Sequence, residues 1–256
     1  MEDKVKRPLI LISNDDGFSF NGIKALIKVA RKYGDVVAVA PVTQQSGKGC
    51  SVTFFDPLRL QKVREADGYK EYKVYGTPTD CVKLAFDQLL DGRQPDVVLS
   101  GINHGYNLGA NVLYSGTLGA AFEAAVHRVP AVAFSAEPFA PDTDFAPYEP
   151  WVERVLAAVL QKGLPEGAFL NVNMPAEAKG IKVVHTGMGR WVNEYEHRVD
   201  PRGFDYYWTA GDYQLDRPAD TDTDVVAVRD GWVAVVPCRA DPTEHSLMGD
   251  MVALLS

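Results

Sequence analysis

Two adjacent aspartates, Asp15 and Asp16, come one residue after a short and mostly apolar run, Leu9–Ser13. Carboxylates this close resist joint ionisation, because each one raises the free energy of charging the other. A bound cation removes that penalty, and carboxylate, hydroxyl and amide oxygens are the ligands that Mg²⁺ and Mn²⁺ prefer. The pair therefore favours a metal site. The alternative interpretation is that one aspartate caps the following helix while Gly17 forms the turn.

A second candidate site lies where small residues precede an alanine-rich stretch. Ser115, Gly116 and Thr117 come shortly before the run that starts at Ala120. Small residues at a helix start leave backbone N–H groups free at the positive end of the helix dipole, which suits a phosphate group. The stretch matches neither a Walker A loop nor the dinucleotide pattern Gly-x-Gly-x-x-Gly. Ordinary capping and close packing remain the alternative.

The elements that must position these residues follow from the hydrophobic pattern. Up to about residue 185, short apolar runs alternate with amphipathic stretches. The pattern predicts strands at residues 9–13, 36–40, 72–75, 97–100, 131–135, 169–172 and 181–184. It predicts helices at residues 22–33, 116–128 and 151–161, and a further helix that begins at residues 77–80. Continuous Val/Ile/Leu runs between helices indicate a buried parallel sheet. We therefore predict an α/β fold, a Rossmann-like, doubly wound and mostly parallel sheet in three αβα layers.

Three polar loops follow strands of this predicted sheet. They comprise residues 14–17, 41–49 and 101–107. Ligands of open α/β sheets bind beyond the carboxyl ends of the strands. The three loops are therefore expected to open on the same rim of the sheet.

After about residue 185 the chain becomes rich in aromatic residues, with seven of them between positions 191 and 213. Apolar runs on either side of Asp230-Gly231 predict a β-hairpin with a two-residue turn. We predict two parts, a Rossmann-like catalytic core at residues 1–185 and a C-terminal extension at residues 186–256. The extension is expected to be β-rich and to serve oligomerisation, unless its aromatic residues only cover the edge of the core.

Composition excludes several classes of protein. The 256 residues include 34 acidic and 26 basic side chains, a net charge of -8. This balance argues against a binder of nucleic-acid polymers or membrane surfaces, since basic residues are not in excess. It allows a small anionic ligand whose site brings its own cation. The three cysteines form neither a disulfide framework nor a zinc pattern. Without a long apolar run for a membrane span or signal peptide, a cytoplasmic enzyme is expected.

The polar loops, taken together and in order, resemble the survival protein E (SurE) family. The blocks that carry the resemblance are Ile12-Ser13-Asn14-Asp15-Asp16-Gly17, Ala40-Pro41 with Ser46-Gly47, Tyr75-Gly76-Thr77-Pro78-Thr79-Asp80-Cys81-Val82, Ser100-Gly101-Ile102-Asn103, Asn111-Val112-Leu113-Tyr114-Ser115-Gly116-Thr117, Leu170-Asn171-Val172-Asn173, Asp200-Pro201-Arg202-Gly203 and Asp241-Pro242-Thr243. One departure is Pro242, because the family more usually has leucine between this aspartate and threonine.

The resemblance implies a phosphatase that uses one divalent metal ion per subunit, Mg²⁺ or Mn²⁺. Its substrates would be nucleoside 5′-monophosphates, and often 3′-monophosphates. It also implies a swapped C-terminal arm that forms a homodimer or homotetramer. By matching position, the metal ligands would be Asp15, Asp16, Ser46 and Asn103. The phosphate and catalytic contacts would be Asn14, Asn107, Ser115, Gly116 and Thr117.

Three questions stay open at this level. The expected nucleophile is a water activated by the metal, and the alternative is attack by Asp15 through an aspartyl-phosphate. A non-catalytic nucleotide-binding regulatory module is the alternative to an enzyme. A haloacid-dehalogenase-like phosphatase is disfavoured, because it would need Asp-x-Asp instead of adjacent aspartates. His104 is a candidate for proton transfer or an ordinary loop residue, and His245 could reach a site if the C-terminal tail folds back.

Overall fold

The computed structural model describes residues 7–140 and 142–256, and its centre is a nine-stranded sheet. The strands are β1 (Leu9–Ser13), β2 (Asp35–Pro41), β3 (Leu60–Ala66), β4 (Tyr69–Val74), β5 (Val97–His104), β6 (Ala131–Ala136), β7 (Ala168–Met174), β8 (Ile181–Val183), β9 (Gly189–Val192), β10 (Tyr195–Val199), β11 (Asp205–Thr209), β12 (Asp212–Leu215) and β13 (Val233–Arg239). The α-helices are α1 (Asn21–Ala30), α2 (Pro78–Gln88), α3 (Gly116–Val126), α4 (Glu149–Lys162), α5 (Asp224–Arg229) and α6 (Met248–Leu255).

The middle of the sheet is parallel. Strands β4, β2, β1, β5, β6 and β7 are neighbours in this order and run in the same direction. Strand β3 adds antiparallel to β4, and β13 adds antiparallel to β7, with β8 at the far edge. The strands that follow β1 in the chain, β2 and β4, lie on one side of β1, and the strands that follow β5, β6 and β7, lie on the other side of the sheet. Such a switch point opens a crevice at the carboxyl ends of the two strands. The predicted mostly parallel α/β fold is confirmed.

Helices cover both faces of the sheet, because successive strand side chains point to opposite faces. In β1, Ile10 and Ile12 belong to the apolar core under α1 and α4. Leu9 and Leu11 belong to the core under α2 and α3. Burial on both faces explains why the central strands are continuous apolar runs in the sequence.

The hairpin predicted around Asp230 and Gly231 is wrong. Residues Asp224–Arg229 form α5, whose first turn is capped by the Thr223 side chain, and only β13 is a strand. A short apolar run does not distinguish a buried strand from a buried helical turn, and the capping threonine was the missed signal. Strand β13 lies in the main sheet, so this part of residues 186–256 belongs to the core and not to an extension.

Strand β3 was not predicted either. All seven of its residues are exposed, and it lies at the edge of the sheet. An exposed edge strand buries no face, and it therefore leaves no hydrophobic alternation in the sequence.

Residues 189–215, here termed the arm, form two antiparallel ribbons. Strand β9 pairs with β12, and β10 pairs with β11. Most aromatic side chains of the arm are exposed, among them Tyr195, Tyr207 and Trp208. Helix α6 at the end of the chain also has no buried residue. Exposed apolar surface of this kind is typical of interaction sites. Within the described residues, no helix combines the length and the apolar character that crossing a bilayer requires.

Replacing Phe134 tests the assignment of the core. This side chain lies in the central strand β6 and is fully buried. We expect Phe134→Ala to lower the free energy of unfolding by about 3–5 kcal/mol, because it removes apolar contacts and leaves a cavity. Urea denaturation measures the change. The matched control is Phe55→Ala at a fully exposed position, expected to change stability by less than about 0.5 kcal/mol. Equal losses in both variants would contradict the assignment.

Candidate active site

The candidate site lies at the switch point between β1 and β5. Ser13, the last residue of β1, pairs with Ser100 of β5. Asp15 and Asp16 come one residue after the end of β1, and Asn103 and His104 close β5. The register of β5 against β6 shifts between Ser100 and Asn103. This irregularity places the last residues of β5 beside the loop that follows β1.

Asp15 and Asp16 are almost completely buried, with 3% and 2% of their surface exposed. Among the described residues, no lysine or arginine forms an ion pair with either carboxylate. Burial, and then the neighbouring charge of Asp16, raise the pKa of Asp15 to about 6. Hydrogen bonds from Thr117 oppose this rise. The pair therefore carries unbalanced negative charge in a site shielded from water.

The start of α3 faces Asp15. The Thr117 hydroxyl donates a hydrogen bond to Oδ1 of Asp15. A Cβ atom at Gly116 would lie only 2.9 Å from the Asp15 Cβ, so glycine is needed for this close approach. Ser115 caps the helix by accepting the Leu118 N–H at 3.2 Å. The positive end of the helix dipole therefore points at the acidic pair.

Asn103 presents its oxygen to the same place. Its Nδ2 donates to the Gly105 carbonyl at 2.8 Å, which turns Oδ1 the other way. That oxygen lies 3.4 Å from the Thr117 hydroxyl, which also contacts Asp15. The amide oxygen is therefore available as a ligand beside the carboxylates.

His104 contacts the second carboxylate. Its backbone N–H lies 3.2 Å and its Nδ1 lies 3.0 Å from Oδ2 of Asp16. The ring is buried and packs edge-on against Phe20 and Phe145. The structure thus makes His104 a group that orients Asp16. Its only sequence signal was its place next to a predicted ligand.

Ser46 lies in the loop after β2, and its side chain is exposed. The loop is held at the site because the Gln45 N–H donates to the Asp15 carbonyl at 2.7 Å. The structure therefore brings the loop to the acidic pair, and the assignment of Ser46 as a ligand stays a prediction.

The candidate donor set suits a divalent cation. It consists of two buried carboxylates and the Oδ1 of Asn103, to which the sequence adds the hydroxyl of Ser46 as a predicted ligand. These are hard oxygen donors, as Mg²⁺ and Mn²⁺ require. No group of three or more His, Cys, Asp or Glu side chains suited to a metal occurs in the described residues. The residues present fit one hard divalent ion.

Two predicted catalytic residues have structural partners. Asn14 is fully buried, donates to the Gly17 carbonyl at 3.0 Å and accepts the Gly17 N–H at 3.3 Å. Its amide therefore closes the turn that carries both aspartates. Asn107 donates to the Ser135 hydroxyl at 2.8 Å. Neither side chain forms a hydrogen bond to Asp15 within the described residues, and their catalytic roles stay predictions.

Sequence reasoning gave no role to Asn171 and Asn173. Both are fully buried in β7 and donate to the Asn107 carbonyl, at 2.9 and 3.1 Å. Polar residues at alternate positions of a buried strand were the available signal. His245, by contrast, is exposed and pairs with Asp241 in the C-terminal tail, at 3.0 Å between Nε2 and Oδ2.

Comparisons with known proteins give one consistent family. Residues 10–193 match the family model described as Survival protein SurE. The 5′-nucleotidase SurE of Christiangramia forsetii is 42% identical over 252 residues, which cover 96% of each chain. The 5′-nucleotidase SurE of Cytophaga hutchinsonii is 43% identical over 251 residues, again with 96% of each chain covered. The crystal structure of the SurE protein from Aquifex aeolicus is 37% identical, with a TM-score of 0.84, and the match covers 97% of this chain and 100% of that one.

Removing the charge of Asp15 should stabilise the metal-free protein. The pKa of this carboxyl is raised from 3.8 to about 6, so the folded state holds a proton that the unfolded chain releases. Stability without metal therefore falls as pH rises through this window and stays lower above it. In EDTA at pH 8, we expect Asp15→Asn to be more stable than the parent by about 1–3 kcal/mol, and the difference to shrink as pH falls towards 4.

Urea denaturation across pH measures this effect. The control is Asp56→Asn, which removes one exposed carboxylate and should leave stability nearly unchanged at every pH. A less stable Asp15→Asn protein at pH 8 would contradict the claim that the pair is electrostatically strained.

Proposed function

The chain belongs to the survival protein SurE family, and from that premise we propose that it is a 5′-nucleotidase that depends on one divalent metal ion per subunit. It releases phosphate from nucleoside 5′-monophosphates. The observation that carries the proposal is the buried pair of Asp15 and Asp16, which faces the start of α3 and has no ion pair with a lysine or arginine of residues 7–140 and 142–256. Such a place suits a cation and, next to it, a phosphate.

Asp15, Asp16, Asn103 and Ser46 would hold the ion, Mg²⁺ or Mn²⁺. When bound, the ion supplies positive charge to the phosphoryl oxygens and lowers the pKa of a water molecule. His104 orients the Asp16 carboxylate through its contacts at 3.0 and 3.2 Å. The Asn14 amide closes the turn beneath both aspartates. These contacts fix the orientation of both carboxylates before the ion and substrate bind. Less free energy is then spent on reorienting the carboxylates during binding and reaction.

The start of α3 binds the phosphate. Ser115, Gly116 and Thr117 form the first turn, where backbone N–H groups and the helix dipole favour negative charge. These groups stabilise charge on the phosphoryl oxygens during transfer. Because Gly116 packs against Asp15, the phosphate-binding turn and the acidic pair lie next to each other.

A water molecule is the proposed nucleophile. Oδ1 of Asp15 accepts the Thr117 hydroxyl, and an oxygen engaged in this way is less available for in-line attack. Attack by Asp15 is the alternative. A phosphorylated Asp15 trapped in solution, or a fluoride mimic of phosphate bound to the Asp15 carboxylate in a crystal structure, would decide for the alternative.

Three further features belong to the same proposal. Nucleoside 3′-monophosphates are also substrates. The chain assembles as a homodimer or homotetramer through its C-terminal part, a proposal supported by the exposed aromatic residues of the arm and by the fully exposed helix α6. The enzyme acts in the cytoplasm on small nucleotides, without binding nucleic-acid polymers or membranes.

A substrate panel tests the proposal directly. Phosphate release is measured from 5′- and 3′-monophosphates of each base and from p-nitrophenyl phosphate, with Mg²⁺, with Mn²⁺ and with EDTA. We expect turnover of the 5′-monophosphates only when the metal is present. No turnover with either metal would refute the enzyme, and nucleotide binding without turnover would instead support a regulatory module.

Replacing the metal ligands should abolish this activity. We expect Asp16→Asn and Asn103→Ala to lower kcat/KM at least about 100-fold, because the first removes a negative charge from the proposed metal site and the second removes a proposed ligand oxygen. Circular dichroism should show an unchanged fold, and calorimetry should show weaker Mn²⁺ binding. Asp56→Asn is the control. Full activity in either ligand variant would refute the metal assignment.

A methyl group at position 116 should disturb both the acidic pair and the phosphate-binding turn. The added carbon would lie 2.9 Å from the Asp15 Cβ and 3.0 Å from Pro78, so Asp15 or the helix start must move. We expect Gly116→Ala to lower kcat/KM about 10-fold to 100-fold, as the loss of positioning does in other enzymes. The control is Gly249→Ala, where a Cβ meets no atom within 4 Å. Equal activity of the two variants would show that the close approach is not needed.

A further inference from the structure

The segment that leads into the phosphate-binding turn is only partly buried. It contains a short 3₁₀ helix, Gly109–Leu113, and then Tyr114. Leu113 and Tyr114 are 65% and 60% exposed. Two internal hydrogen bonds, from Asn111 N–H to the Leu108 carbonyl and from Tyr114 N–H to the Asn111 carbonyl, are both 3.1 Å long. Val112 packs against the core, and the Tyr114 carbonyl accepts the Gly49 N–H at 2.9 Å. Further contacts fix the backbone of residues 109–111.

Those contacts come from distant residues of the C-terminal region. Three consecutive residues each form one hydrogen bond with it. The Gly109 N–H donates to the Asp224 carboxylate at 3.0 Å, and the Ala110 N–H donates to the Tyr213 hydroxyl at 2.8 Å. The indole N–H of Trp191 donates to Oδ1 of Asn111 at 2.8 Å.

The three distant side chains are themselves tied together. Tyr213 and Trp191 are cross-strand partners of β12 and β9, with their ring centroids 5.8 Å apart. The Tyr213 hydroxyl donates to the Gly187 carbonyl at 3.0 Å, and Asp224 accepts the Gly187 N–H at 2.8 Å. Asp224 is fully buried. A Cβ at Gly109 would collide with the Tyr213 hydroxyl. The backbone at Gly109 and the Tyr213 side chain are therefore closely packed, and neither can shift without a clash or a lost hydrogen bond.

We propose that Tyr213, with Trp191 and Asp224, positions the phosphate-binding start of α3. Ser115 follows this segment directly, and its neighbour Gly116 packs on Asp15. Residues 109–111 are only four to six positions before Ser115 in the chain. A displacement of their backbone would therefore also displace the turn that binds phosphate. This proposal rests on the proposed function, because the positioned group is the phosphate-binding turn. Tyr213 is a positioning residue, since it acts through backbone atoms of another segment.

Tyr213→Phe is the variant that tests this role, because it removes only the hydroxyl. We expect kcat/KM for a nucleoside 5′-monophosphate to fall about 5-fold to 10-fold, the effect of one lost hydrogen bond. The inhibition constant of inorganic phosphate should rise by a similar factor. Affinity for Mn²⁺, measured by calorimetry, should stay within about 2-fold, because the proposed ligands lie outside residues 109–111. A merely structural defect would weaken metal and phosphate binding together.

Hydrogen exchange gives a readout that needs no activity. Amides of residues 106–118 should exchange faster in Tyr213→Phe, while those of residues 9–17 should not change. Trp191→Phe removes a second bond to the same segment and should act in the same direction. The matched control is Tyr207→Phe, an exposed tyrosine of the arm, which should behave as the parent protein.

The outcomes separate this role from the proposed function. If the parent protein binds phosphate with Mn²⁺ but does not hydrolyse nucleotides, the proposed function fails, and phosphate binding and exchange still test Tyr213. Unchanged phosphate inhibition and exchange in Tyr213→Phe would overturn the positioning role. Faster exchange throughout the protein would also overturn it, as would a parent protein that binds no phosphate.

Discussion

Burying the carboxylates of Asp15 and Asp16 side by side costs free energy that no lysine or arginine of the described residues offsets. Each charge has lost most of its hydration and lies against another charge of the same sign. The surroundings reduce this cost only in part. Thr117 donates a hydrogen bond to Asp15, and the His104 backbone N–H and ring contact Asp16. The remaining imbalance suits a divalent cation and a phosphate beside it.

The fold is arranged so that this pair can exist. The switch point between β1 and β5 supplies a crevice, since flanking strands leave it in opposite directions. The closed turn at Asn14 and the glycine at position 116 bring the start of α3 against the aspartates. A larger residue at position 116 would force these elements apart. The acidic pair, the helix start and the end of β5 are therefore one unit.

The C-terminal region contributes to the same unit, although it is far away in sequence. Strand β13 returns to the main sheet beside β7. Tyr213, Trp191 and Asp224 hold the three residues from Gly109 to Asn111. A division of the chain into a catalytic core and a separate extension at residue 185 therefore misses a physical link. The arm is both an exposed surface and a support for the segment before α3.

Much of the fold followed from the sequence because burial on both sheet faces leaves continuous apolar runs, as in Leu9–Ser13. The metal-site hypothesis followed from the adjacency of Asp15 and Asp16, since their repulsion is local and independent of the fold. Strand β3 and helix α5 did not follow. The first buries no side chain, and the second is too short for its period to be recognised.

What the sequence determined by itself was the acidic pair, the helix start at Ser115 and the positions of the buried central strands along the chain. Only the tertiary structure decided which side chains complete the site. His104 faces Asp16, Asn103 turns its oxygen towards Thr117, and Tyr213 lies on Ala110. These pairs depend on the packing of elements up to about one hundred residues apart, as Tyr213 and Ala110 are. The energy of such contacts belongs to the assembled fold, and no spacing in the chain encodes it locally.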